Sequence, residues 1–155
     1  MTRTQDGKPP AHVLIVAHRT AAGPALLDAV RERAARDAGH VRFTLVVPNQ
    51  PRGLHRLVDP EDTDPHSAQE VIDRALPLLG EAAGSRVEGI IGDASPLTAV
   101  ADAINLGAFD EIMISTLPRS LSRWLRVDLP HKVAGFGLPV TTVTAAADDR
   151  IPVGG

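Results

Sequence analysis

The sequence has 155 residues, of which 43% are hydrophobic and 3% are aromatic, and it contains no cysteine. This length suits one domain with an aliphatic core. The lack of cysteine excludes disulfides, thiolate metal sites and cysteine nucleophiles. The formal net charge of -3 gives no general attraction for nucleic acid or an anionic membrane, so we expect neither as a partner.

Two polar segments flank the apolar part of the chain. Residues 1–10 lack the apolar stretch of a signal peptide, which predicts a flexible arm. Residues 146–155 are polar and end in glycine, which predicts a flexible tail. No apolar run approaches the roughly 20 residues of a membrane helix. We therefore predict a single cytoplasmic domain over 11–145.

Five short apolar runs rich in β-branched residues are typical of strands buried on both faces, as in a parallel sheet. The runs cover 13–17, 43–47, 87–91, 112–114 and 139–144.

Apolar residues recur at helical spacing between these runs. One stripe covers 26–38, and a second follows Asp64, which can cap a helix that opens with Pro65. A third spans 95–107, opened by a Ser-Pro pair and ended by glycine, and a two-piece helical region covers 118–136. Strands that alternate with helices predict an α/β fold. We predict a Rossmann-like, doubly wound sheet of five parallel strands, ordered 3-2-1-4-5, between two helical layers.

In such a sheet, ligands bind beyond the carboxyl ends of the strands. The residues there are the candidate ligand-binding residues: His18, Arg19, Thr20, Val47, Pro48, Gly92, Asp93, Ser115 and Thr116. The alternative is that they form ordinary polar loops. His18 and Asp93 could form an acid–base pair if their loops converge, although we favour two unrelated loop residues.

Three arginines follow the fourth strand at spacings i, i+4 and i+7. Arg119, Arg123 and Arg126 would share one face of a helix over 118–126, with Ser120 near its start. Such a face could hold a phosphate or carboxylate. The alternative, which we favour slightly, is a solvated face above packed Leu121, Trp124 and Leu125. After it, Asp128 is expected to cap a further helix.

The order and spacing of three segments resemble the universal stress protein family over almost the whole domain. The segments are the opening strand 13–17; the turn 92–96 with Ala99, Ala101 and Ile104 after it; and the module 110–116, 121–133 and 138–140. The resemblance implies a stress-response or regulatory module. It also implies a homodimer paired through strand 139–144, and that strand is uncharged and lies at a sheet edge, which invites pairing.

The same resemblance bears on ATP. Members that bind ATP carry glycines in the loop after the fourth strand, and the matching positions here are Ser115, Pro118, and Val127 or Asp128. Proline has no N–H to donate to a phosphate, and Asp128 would repel one. The family's acidic residue after the first strand is matched by His18. We therefore predict weak or absent ATP binding and no cofactor, although ATP or another nucleotide stays an alternative.

The six histidines are scattered without metal-ligand spacing, and no P-loop or nucleophile-elbow motif occurs. We therefore predict no metal site and no catalytic residues. The leading hypothesis is a dimeric, non-enzymatic module that binds a protein or a small anion. The alternatives are a nucleotide-binding module of altered specificity and, least favoured, an enzyme of the wider adenine nucleotide hydrolase-like superfamily.

Overall fold

The computed structural model describes residues 9–37, 40–49, 67–118 and 120–146. Within these ranges the strands are β1 (Ala11–Val16), β2 (Val41–Pro48), β3 (Glu88–Gly92), β4 (Glu111–Thr116) and β5 (Val140–Thr144). The helices are α1 (Pro24–Arg36), α2 (Ala68–Ala83), α3 (Pro96–Leu106), α4 (Arg123–Arg126) and α5 (Leu129–Ala134). Residues 1–8 of the predicted arm 1–10 and residues 147–155 of the predicted tail 146–155 lie outside the described residues.

The described strands form one parallel sheet in the order β3-β2-β1-β4-β5. This order and the strand positions confirm the predicted fold. The central strand β1 pairs with β2 on one side and β4 on the other. The winding of the sheet therefore reverses between β1 and β4, which sets the place where such folds bind ligands.

Two apolar cores lie on opposite faces of the sheet. Alternate residues of β1 supply both, with Val13 and Ile15 in the core under α1 and α2, and Leu14 and Val16 in the core under α3 and α5. All four are fully buried. The continuous apolar runs in the sequence follow from this two-sided burial.

The helix α2 begins later than the sequence predicted. Its N-cap is Ser67, whose hydroxyl accepts from the Glu70 N–H while the Glu70 carboxylate accepts from the Ser67 N–H. This reciprocal pair satisfies two backbone donors that no helical carbonyl reaches. The predicted cap, Asp64, and Pro65 lie outside the described residues. The predicted start of α3 at Ser95 is confirmed, because its hydroxyl accepts from the Thr98 N–H.

The predicted helix over 118–126 is wrong. The Leu121 N–H donates to the Pro118 carbonyl at 2.7 Å, closing a turn, and α4 starts only at Arg123. Its cap is the buried Ser122, whose hydroxyl accepts from the Leu125 N–H. Leu121 is 46% exposed and does not pack as expected, whereas Trp124 does pack against the core under α3 and α5.

Asp128 stands at the expected N-cap position of α5 but does not cap it with its side chain. Its φ of 59° is the one positive value at a non-glycine residue among those described. Asp128 therefore acts through its backbone, whose carbonyl accepts from the Lys132 N–H at 3.2 Å. In the described part of the chain, no helix is long and apolar enough to cross a membrane.

Candidate functional site

The carboxyl ends of β1 and β4 bring buried polar side chains together where the winding of the sheet reverses. His18 and Thr20 follow β1, while Ser115 and Thr116 are the last two residues of β4. All four are buried. Burial of polar groups side by side is costly unless they bond to one another or to a ligand.

Thr20 and Ser115 bond directly across this point. Their hydroxyl oxygens are 2.5 Å apart, and both residues are buried, at 8% and 3% exposure. The segment after β1 is held by two further bonds, from the Ala21 N–H to the His18 carbonyl and from the Gly23 N–H to the Thr20 carbonyl. The two strand ends are thus tied together by protein groups.

Thr116 makes a similar link to the edge strand. Its hydroxyl donates to that of Thr144 at 3.5 Å, and its carbonyl accepts from the Ala145 N–H at 2.9 Å. Sequence reasoning missed Thr144. The predicted parallel pairing of β4 with β5 could have pointed to it, because this pairing puts Thr144 opposite Thr116.

The ends of β2 and β3 are also joined by a backbone hydrogen bond. The Asn49 N–H donates to the Gly92 carbonyl at 3.0 Å, and Pro48 is buried at the end of β2. A Cβ on Gly92 would lie 2.6 Å from the Ala99 Cβ, so only glycine lets α3 approach this strand end. Val47 is fully buried in the apolar core and presents no surface to a ligand.

Asp93 serves the start of α3. Its Oδ1 accepts from the Ser95 N–H at 2.8 Å, an Asx turn that orders the chain before the helix. The order of the sheet puts β2 between β1 and β3, so the ends that carry His18 and Asp93 are about 10 Å apart. This distance favours the interpretation that His18 and Asp93 are two unrelated loop residues and not an acid–base pair.

The basic residues lie outside the buried hydroxyl cluster. Arg19 is exposed beyond β1, and Arg123 and Arg126 are exposed at the two ends of α4. Ser120 is exposed in the turn before α4, and Arg119 lies outside the described residues. Arg123 and Arg126 are one helical turn apart, so they could still meet one anion from the solvent side.

Chemically, the described strand ends offer hydroxyl groups that already bond to one another, and the exposed Arg19 follows the buried His18. Pro118, the second residue after β4, has no N–H for a phosphate. Asp128 adds an exposed carboxylate after α4. In the described ranges, no group of three or more histidine and acidic side chains is arranged to hold a metal ion.

Comparison with known proteins identifies the fold. A universal stress protein from Archaeoglobus fulgidus superposes with a TM-score of 0.58 at 15% identity, covering 90% of this chain and 97% of that one. A universal stress protein in complex with cAMP gives 0.56 at 15% identity, covering 90% of this chain and all of the other. No protein-family model and no curated protein matches the sequence. The domain therefore has a universal stress protein-like fold.

Proposed function

We propose that this chain is a regulatory or stress-response module that acts in the cytoplasm as a homodimer, without catalysis and without an ATP site. One observation carries the proposal, which is the Thr20–Ser115 bond across the point where the sheet reverses. The likeness of the fold to two universal stress proteins supports the regulatory class.

Two features near the end of β4 oppose ATP, namely the bonded hydroxyl pair and the lack of an amide donor. A triphosphate beside β4 would have to displace a buried hydroxyl pair, and a buried hydrogen bond of this kind contributes about 1 kcal/mol. It would then meet Pro118, which lacks the amide donor that phosphate cradles use. Asp128 would add repulsion rather than a compensating contact.

The edge strand β5 supports a dimer. This strand pairs with β4 on one side, and no other described strand pairs with its outer edge. Its five residues carry no charge, so nothing on the strand itself opposes pairing with a second copy. A two-fold axis through this edge would join two sheets into one.

A second candidate function is the binding of a small anion or nucleotide with fewer phosphates. It is favoured by the structural neighbour in complex with cAMP and by the exposed pair Arg123 and Arg126. Arginine at the rim could bind a single phosphate without opening the hydroxyl pair.

Calorimetric titration of the full chain with ATP and with cyclic AMP separates the two functions. We expect an ATP dissociation constant weaker than about 1 mM, and low-micromolar affinity would contradict the proposal. If cyclic AMP binds and Arg123→Glu weakens it at least about tenfold, the second function replaces the first. Arg31→Glu, which changes an exposed arginine on α1, is the control for a general charge effect.

A further inference from the structure

The turn around α4 carries exposed apolar and basic side chains next to one another. Leu121 and Val127, which flank α4, are each 46% exposed. Arg123 and Arg126, the first and last residues of α4, are also exposed. We call Leu121, Arg123, Arg126 and Val127 the α4 surface. Single exposed apolar residues are normal in a folded protein, so this surface needs an explanation only if the four side chains lie together.

Two backbone bonds place these side chains on one face. The Arg126 N–H donates to the Ser122 carbonyl at 3.2 Å, and the Val127 N–H donates to the Arg123 carbonyl at 3.1 Å. The helical turn thus continues to Val127, and the spacings i, i+3 and i+4 put Arg123, Arg126 and Val127 on one face. Leu121 precedes the cap Ser122, a position from which a side chain reaches the fourth helical residue, here Arg126.

Buried contacts hold this face in place. The hydroxyl of the buried Ser122 accepts from the Leu125 N–H at 3.1 Å. Trp124 packs against the core under α3 and α5, and the buried Leu129 belongs to that core. Because these contacts fix the backbone on both sides of the turn, a partner that binds the α4 surface pays little to order it.

The charges of the α4 surface favour an acidic partner. Neither Arg123 nor Arg126 forms an ion pair with a carboxylate in the described ranges, so both guanidinium groups can donate to the carboxylates of a partner. Arginine is also among the side chains that contribute most to protein interfaces. Leu121 and Val127 add apolar contact beside these charges.

An acidic protein segment fits this surface better than an anionic membrane does. Asp128, the residue after Val127, is exposed, and a uniformly anionic lipid surface would repel its carboxylate. A protein segment can instead place its carboxylates at the arginines and a neutral group at Asp128. Trp124, the kind of side chain that anchors proteins at a lipid surface, packs against the core.

We propose that the α4 surface binds a partner protein through an acidic segment that also carries apolar side chains. Arg123 and Arg126 pair with its carboxylates, while Leu121 and Val127 cover its apolar side chains. This partner deepens the proposed regulatory function and rests on it, since a module without catalysis acts by binding. A small anion, in contrast, would use the two arginines but not the two apolar residues.

Fluorescence of Trp124 tests the proposal. It is the one tryptophan of the sequence, which has no tyrosine, so its emission reports binding beside Arg123. The full chain is titrated with a short synthetic peptide in which pairs of glutamates alternate with single leucines. A matched peptide has serine in place of each leucine. We expect the leucine peptide to bind at least about tenfold more tightly than the serine peptide, and its affinity to fall with added salt.

Variants at exposed positions separate the two kinds of contact. Arg126→Glu should weaken the leucine peptide at least about tenfold, and Val127→Ser should weaken it about threefold. The matched controls are Arg31→Glu on α1 and Leu106→Ser, which removes an exposed leucine at the end of α3. Both controls should bind the peptide as the wild type does.

Equal affinity for the two peptides, or unchanged affinity in Val127→Ser, would overturn the proposal in favour of simple anion binding. No response to either peptide would also overturn it. So would a Val127→Ser protein that dissociates to monomer in light scattering, because a second copy would then cover the surface. Binding to phosphatidylserine vesicles without binding to the leucine peptide would assign the surface to a membrane. A dimer that binds neither ATP nor the peptide keeps the proposed function and loses only this partner.

Discussion

At the scale of single residues, Arg33 joins the last turn of α1 to the first residue of β4. Its guanidinium donates to both carboxylate oxygens of Glu111 at 3.0 Å, and also to Asp37 at 3.0 Å. Arg33 is 8% exposed. These bonds raise the pKa of Arg33 above its ordinary value, chiefly through Glu111, so the guanidinium stays charged.

Arg33→Ala should therefore destabilise the fold by about 3 kcal/mol, because Glu111 would be left partly buried without its partner. Chemical denaturation at neutral pH measures the change in the free energy of unfolding. The matched control is Arg31→Ala, whose bond to Asp28 is exposed on the same helix and should contribute about 0 to 1 kcal/mol. Equal losses for the two variants would contradict the importance of the buried pair.

Residue contacts of this kind were beyond prediction from the sequence. Arg33 and Glu111 are 78 positions apart, Thr20 and Ser115 are 95 apart, and no local spacing links either pair. The sequence did place Thr20 and Ser115 at neighbouring strand ends, because strand order alone determines that. Their mutual bond depends on the side-chain packing, which only the folded structure contains.

At the scale of elements, prediction succeeded where burial determines the pattern and failed where it does not. The buried strands show as continuous apolar runs, and the Ser95 cap of α3 shows as a Ser-Pro pair. The spacing of Arg119, Arg123 and Arg126 indicated a helix, but exposed side chains place little constraint on the backbone. The Ser122 hydroxyl instead fixes where α4 starts.

The edge strand β5 is the predicted interface of the homodimer. Thr142 is the central residue of β5 and is exposed, so antiparallel pairing about a two-fold axis would place two copies of it close together. Thr142→Lys would oppose two like charges there. We expect the wild type to be a dimer at micromolar concentration by light scattering, and the variant to be shifted towards monomer.

Asn105→Lys is the control for this test, because it adds the same charge to an exposed position on α3. It should remain a dimer. A wild-type monomer under these conditions, or dissociation of both variants alike, would remove β5 as the interface.

At the scale of the whole molecule, the two edges of the sheet have different chemistry. The carboxyl edge is joined by hydroxyl bonds between Thr20 and Ser115 and between Thr116 and Thr144. The amino edge carries Arg33 and His12, which attach α1 and the loop 107–110 to the sheet. Strand-end hydroxyls that already bond to one another are what we expect of the proposed module without an ATP site.

Native mass spectrometry of the freshly purified full chain tests most directly whether the strand-end site excludes ATP, as we propose. Gentle ionisation preserves a tightly held nucleotide, so the spectrum reports what the protein carries from the cell. We predict a species of twice the chain mass with no nucleotide attached. A species that retains ATP would contradict the account, because ATP would then bind despite the Thr20–Ser115 bond and the missing amide donor at Pro118.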